Sequence, residues 1–174
     1  WSSDVCSSDP VPIGQAVART CAETFKPCLI EASGNDPFIV MPSAPLDIAA
    51  RGAAFAAYLN CGQVCTSAER FYVHEAIHDE FVERLVAEAR KLRIGNGLHN
   101  VDIGPMATER QRTRLEALMS EARAQGAKVA TGGLRPAELN KGWFVEPTVL
   151  TGIEPGMDIL KNESFGPVAP ICKV

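Results

Sequence analysis

The stretch NCGQVCTSAER, residues 60–70, carries two cysteines four positions apart, Cys61 and Cys65, around a Gly-Gln pair. Cysteines so placed suit three chemistries: metal ligation, thiol–disulfide exchange, or one nucleophilic thiol beside a bystander. A closed metal site wants four ligands, yet no second cysteine pair follows and Cys172 stands alone. C-x-x-x-C is not the thioredoxin spacing, although a 61–65 disulfide stays open. A second candidate stretch is IEASGNDP, residues 30–37, where Glu31 ends an apolar run and meets a Ser33-Gly34 turn. A third is HEAIH at 74–78, which matches the zinc-protease pattern H-E-x-x-H. That chemistry needs both histidines one turn apart on one helix, with the glutamate as general base. Here His74 follows directly on the strand-like RFYV, and the helix is expected to start at about Glu75 to Ile77. The two histidines then read as surface polar residues at a strand-to-helix corner, and no metal is expected.

The elements that must hold these residues can be read from periodicity. Ile13, Ala16, Val17, Thr20, Cys21 and Thr24 form one stripe of a helix that starts around Gly14 and ends near Pro27. CLIEA (28–32) reads as a short buried strand and FIVM (38–41) as a second, with the GNDP turn between them. A small-residue helix runs from Asp47 to Leu59 and stops at Gly62. RFYV (70–73) is a strand, and residues 76–93 and 109–125 are amphipathic helices, the latter ended by Gly126. AKVATGG and FVEPTVLTG read as strands around a loop, and FGPVAPICKV as an apolar extended tail. Strands alternating with long helices predict an α/β layered fold with a largely parallel sheet.

Bulk composition narrows the function classes. The 174 residues are 46% hydrophobic and 22% charged with a formal net charge of −4, values of an ordinary globular domain without the clustered basic charge that nucleic acid requires. No apolar run is long enough to span a bilayer. Six irregularly spaced cysteines in a chain of this length argue for reduced thiols in a cytoplasmic protein. Residues 1–10, WSSDVCSSDP, lack any period and resemble translated adaptor read-through, so they are read as a non-native leader; a flexible native terminus is the alternative.

IEASGNDP and YLNCGQVC together resemble the two signature motifs of the aldehyde dehydrogenase superfamily. Glu31 matches the acid of Glu-x-[Gly/Ser]-Gly and Cys65 the thiol of Gly-Gln-x-Cys, 34 residues later, the family's own offset. TSAERFYVHEAIHDEFVERL, DIGPM, GWFVEPTVL and NESFGPV resemble later family landmarks, in family order. The resemblance covers about Ile13 to Val174. It implies a three-layer αβα catalytic domain over 36–174, cut short at its C-terminus, preceded by the end of the cofactor-binding domain at 11–35. It implies NAD or NADP as cofactor, a small-molecule aldehyde as substrate, and a parent protein that is a homo-oligomer, a dimer or tetramer, with no nucleic-acid or membrane partner.

By the same resemblance Cys65 is the nucleophile and Cys61 a bystander. Cys65 would form a thiohemiacetal and then a thioester, its oxyanion held by its own backbone N–H and a side-chain amide. Glu31 would activate the hydrolytic water, helped by burial that raises its pKa. Glu163 would bond the nicotinamide ribose, Phe165 would pack near the nicotinamide, and Gly14 would lie at the start of the helix facing the pyrophosphate. The first motif departs from the usual Glu-Leu-Gly-Gly-Lys: Ser33 replaces a glycine, a concern if that position needs a positive φ. The oxyanion asparagine and most of the cofactor domain lie outside the 174 residues. Loss of one oxyanion donor costs ~10²–10³ in rate, so the chain alone is expected to be inactive. The remaining alternatives are a zinc hydrolase and a non-catalytic interaction module.

Overall fold

A computed structural model describes residues 10–174. Residues 1–9, which include Cys6 and most of the segment read as a leader, lie outside the described residues. The chain forms helix α1 (Pro10–Glu23), strand β1 (Asp36–Val40), helix α2 (Leu46–Tyr58), strand β2 (Ala68–Val73), helices α3 (His78–Lys91) and α4 (Glu109–Ala124), and strands β3 (Lys128–Thr131), β4 (Thr148–Ile153) and β5 (Val168–Lys173). The five strands make one sheet in the order β1-β2-β5-β4-β3. All pairs are parallel except β3–β4, so the expected mixed α/β fold with a mostly parallel sheet is what forms.

Strand β5 is buried along almost its whole length because it runs between β2 and β4, which explains its continuous apolar sequence. Helix α2 turns its alanines, Ala50, Ala53, Ala54 and Ala57, inward, and these small side chains let it lie close to α3 and the sheet. Its last residue, Tyr58, is buried and donates its hydroxyl to the Thr148 carbonyl at 3.0 Å, tying the end of α2 to β4. Acidic Asp79 and Glu80 at the start of α3 and basic Arg90 and Lys91 at its end match the helix dipole. Thr108 caps α4 by accepting the Gln111 N–H at 3.2 Å, and Gly126, at φ +111°, closes it.

Two expectations fail. The 28–32 segment is not a buried strand: residues 26–35 carry no regular structure, and Leu29 is 92% exposed. A strand needs a neighbour for its backbone groups, and among the described residues β1 is the sheet's edge, with nothing pairing on its outer side. Helix α1 begins at Pro10, not near Gly14. Proline is favoured in the first turn, where its missing N–H has no helical partner to lose, so Pro10 and Pro12 start the helix rather than precede it.

Candidate active site

Three chain segments meet at the C-terminal end of α2 and the entry to β2. The first is the loop that carries Cys65. After Tyr58 the backbone takes left-handed conformations at Asn60 (φ 51°), Cys61 (φ 61°) and Gly62 (φ +69°), which reverses the chain out of the helix. Gln63 fixes the exit: its Oε1 accepts the Ala107 N–H at 2.9 Å, and the Asn60 side chain donates to its carbonyl at 3.1 Å. Cys65 then stands exposed at the corner of a turn closed by the Ser67 N–H on the Val64 carbonyl at 2.9 Å.

The two cysteines have opposite environments. Cys61 is 2% exposed, and burial pushes its thiol up to about 12, so it stays protonated and inert. Cys65 is exposed, and both thiols are free. The 61–65 disulfide left open by the sequence does not form.

The second segment is the acidic turn. Its contact with the Cys65 loop is backbone to backbone: a Cβ placed on Gly34 would lie 2.0 Å from the Cys65 carbonyl oxygen. Only glycine permits that approach. Ser33 does not adopt a positive φ, so the serine in place of the family glycine costs nothing conformationally. Arg70 of β2 donates Nε to the Asn35 carbonyl at 2.7 Å, and the Asn35 side chain donates to the Leu160 carbonyl at 3.0 Å. Glu31 itself is exposed on this irregular segment, not buried against a strand as expected.

The third segment is the turn of residues 163–166. The Gly34 N–H donates to Glu163 Oε1 at 3.0 Å, so the expected cofactor-facing carboxylate also holds the acidic turn. Arg114 of α4 donates Nη1 to the Glu163 carbonyl at 2.9 Å. Phe165 is half-buried with φ 45°, unusual for a bulky residue. A Cβ on Gly62 would lie 2.2 Å from the Gly166 carbonyl oxygen, so this turn also packs directly on the Cys65 loop. The structure therefore brings Cys65, the Glu31 turn, Glu163 and Phe165 to one place. Gly14 is not part of that cluster of contacts: it lies in the second turn of α1, where an added Cβ would meet Ile30 Cγ2 at 2.7 Å.

Sequence reasoning missed Glu69. This carboxylate is 2% exposed, and its two oxygens accept the Ser164 and Phe165 N–H groups, each at 2.8 Å. Burial pushes it up to about 7, against the pull of those two hydrogen bonds and with a further push from Glu163. The only signal in the sequence is an acid inside the strand-like AERFYV, on a pattern whose neighbours are core residues. HEAIH splits between two elements as expected, but His78 is buried rather than on the surface, because it opens α3 on the face that packs inward. His74 caps a short turn by accepting the Ala76 N–H at 3.2 Å, and buried His78, opening α3, pairs Nδ1 with Asp79 at 2.6 Å. No group of three or more metal-capable side chains occurs among the described residues.

Comparison with known proteins places this arrangement. The profile described as "Aldehyde dehydrogenase family" matches residues 10–174. A succinate-semialdehyde dehydrogenase [NADP(+)] from Mycobacterium leprae is 45% identical over 161 residues, covering 92% of this chain and 35% of the relative. The crystal structure of succinate-semialdehyde dehydrogenase from Burkholderia pseudomallei superposes with a TM-score of 0.89 at 41% identity, over 94% of this chain and 34% of that one. A betaine aldehyde dehydrogenase from Staphylococcus aureus, solved in complex with NAD+, gives 0.88 at 32% identity, over 94% and 33%. The chain thus spans about a third of the length of each of these proteins. With its matched profile running through every segment that meets at Cys65, the chain belongs to the aldehyde dehydrogenase family.

Proposed function

We propose that the protein to which this chain belongs oxidises an aldehyde to a carboxylic acid with NAD(P)+, using Cys65 as nucleophile and Glu31 as the base of the hydrolytic step. The observation that carries the reading is the Gly34–Cys65 backbone contact, which sets the Glu31 turn against the backbone of the residue that bears the exposed thiol. The Cys65 thiolate adds to the aldehyde carbon, giving a thiohemiacetal. Among the described residues the Cys65 N–H donates to no protein acceptor, which suits it to the developing oxyanion. Loss of hydride leaves a thioester on Cys65. Glu31, exposed and three residues from Gly34, takes a proton from the water that cleaves it, releasing the acid and the thiol.

The residues at 163–166 fit the nicotinamide end of a dinucleotide: a carboxylate with about four acceptor sites, followed two residues on by an aromatic ring, in a turn that packs on the loop leading to Cys65. When bound, the oxidised dinucleotide supplies the hydride acceptor. Glu163 would hold its ribose hydroxyls and Phe165 would face its ring, while Gly14 belongs to a helix of the cofactor-binding domain. The relative named for NADP(+) and the one solved with NAD+ support either cofactor.

We assign residues 11–35 to the end of that cofactor domain and 36–174 to the catalytic domain, because the sheet begins only at Asp36. The 174-residue chain alone is inactive on this reading, since the second oxyanion donor and the remaining cofactor contacts come from elsewhere in the protein. Five free thiols among the described residues fit a cytoplasmic location, and among those residues no helix is long and apolar enough to cross a membrane. A homo-oligomeric parent follows from the family resemblance.

The test uses the full-length protein with succinate semialdehyde, betaine aldehyde and simple aliphatic aldehydes. Cys65→Ala should abolish dinucleotide-dependent turnover by at least ~10³-fold. Glu31→Gln should leave acylation by a nitrophenyl ester intact and slow deacylation. Full turnover in Cys65→Ala would refute the mechanism.

A further inference from the structure

Among the described residues Glu69 is the only buried acidic side chain, and the chemistry proposed above gives it no step. Both of its oxygens are committed to one turn, through the Ser164 and Phe165 N–H groups at 2.8 Å. That turn also presents Glu163 and Phe165. Glu69 itself sits on β2, four residues after Cys65, so it links the turn to the strand that the nucleophile loop enters. Phe165 is held at φ 45°, a conformation a bulky residue leaves when nothing restrains it. A carboxylate accepting two successive N–H groups fixes both peptide planes and so fixes where the ring and the Glu163 carboxylate point.

We propose that Glu69 is a positioning residue for the dinucleotide: by clamping the 164–165 peptides it holds Phe165 and Glu163 at the height of Cys65. The proposal rests on the function argued above. The clamp needs the ionised carboxylate, because a protonated carboxyl turns one acceptor into a donor facing an N–H. The charged groups around it are Glu163 on the clamped turn, Arg114 of α4 on the Glu163 carbonyl, and Arg70 on the same strand, directed to the Asn35 carbonyl. Glutamine at 69 keeps one acceptor and points an amide N–H at the other donor. Aspartate keeps the charge on a shorter arm.

The experiment takes the full-length protein as wild type, Glu69→Gln and Glu69→Asp. It measures KM for the dinucleotide and kcat from about pH 6 to 9, thermal midpoints, and Cys65 acylation by a nitrophenyl ester without dinucleotide. Expected for Glu69→Gln is a KM for dinucleotide raised ~10-fold, the effect of one lost bond to a charged group. Acylation should change less than about threefold, because ester attack needs no dinucleotide. The wild-type KM should climb as pH falls below about 7, Glu69→Gln should flatten that climb, and Glu69→Asp should restore it in part. A flat wild-type profile, an unchanged KM in Glu69→Gln, or a parallel fall in acylation, affinity and thermal midpoint would overturn the proposal. Failure of the underlying chemistry reads separately, as turnover that survives Cys65→Ala.

Discussion

Selective thiol labelling would separate the two cysteines of the motif. Cys61 is sealed in the core with its thiol raised to about 12, and Cys65 is exposed. Brief treatment of the folded protein with iodoacetamide should modify Cys65 and spare Cys61, and Cys61→Ala should retain ester acylation within a few-fold. Peptide mass spectrometry reads both. Gly34→Ala should do the reverse: its methyl would stand 2.0 Å from the Cys65 carbonyl oxygen, so the acidic turn and the Cys65 backbone must separate. A drop of more than ~10-fold in acylation is expected, given that a 1 Å displacement can cost ~10² in rate. Glu69 adds a pH signature to stability. Its carboxyl rises from 4.5 to about 7 on folding, so between those values the folded state holds the proton and the unfolded state has lost it. This group's contribution is therefore fully present below pH 4.5 and is lost as pH rises through about 7. Denaturant titrations should show the slope over that window shallower in Glu69→Gln than in wild type.

Turns and loops, more than helices and strands, set the geometry of the site. Gly62 combines φ +69° with a carbonyl 2.2 Å from any added Cβ, so Gly62→Ala should cost about 1–3 kcal/mol in chemical denaturation and loosen the Cys65 loop from the 163–166 turn. Leu115 of α4 is fully buried and packs under Gly166, so Leu115→Ala should cost about 2–5 kcal/mol. The regular elements were legible in the sequence because their signals are local: the stripe of α3, the alanines of α2, the closing glycine of α4. Cys65 and Glu31 were legible as a pair of motifs. What escaped depends on partners far along the chain. CLIEA is apolar enough for a strand, yet no described strand lies beside it. Glu69 looks like a solvated charge until β2 is placed next to the 163–166 turn. Glu163 was read for a ribose, whereas the structure shows it accepting the Gly34 N–H, a bond that no spacing rule reports.

At the scale of the molecule, Phe25 and Leu29 stand 97% and 92% exposed on the stretch between α1 and β1, apolar surface that the other two-thirds of a full-length relative has the length to cover. The isolated 174-residue chain should accordingly bind a hydrophobic dye, self-associate in sedimentation, and show no dinucleotide-dependent aldehyde oxidation. The position of β5 has a consequence for how the chain acquires this shape. The strand lies between β2 and β4, pairing Phe71 with Ile171 on one side and Thr148 with Val168 on the other. During synthesis, at ~5–20 residues per second, β1–β2 and β3–β4 emerge as two half-sheets with open edges and no direct pairing between them. Only when Val168–Lys173 leaves the ribosome can the halves join. Until then the nascent chain offers two unpaired edges to neighbouring chains and to chaperones, and a ribosome stalled before Val168 should display a protease-sensitive product.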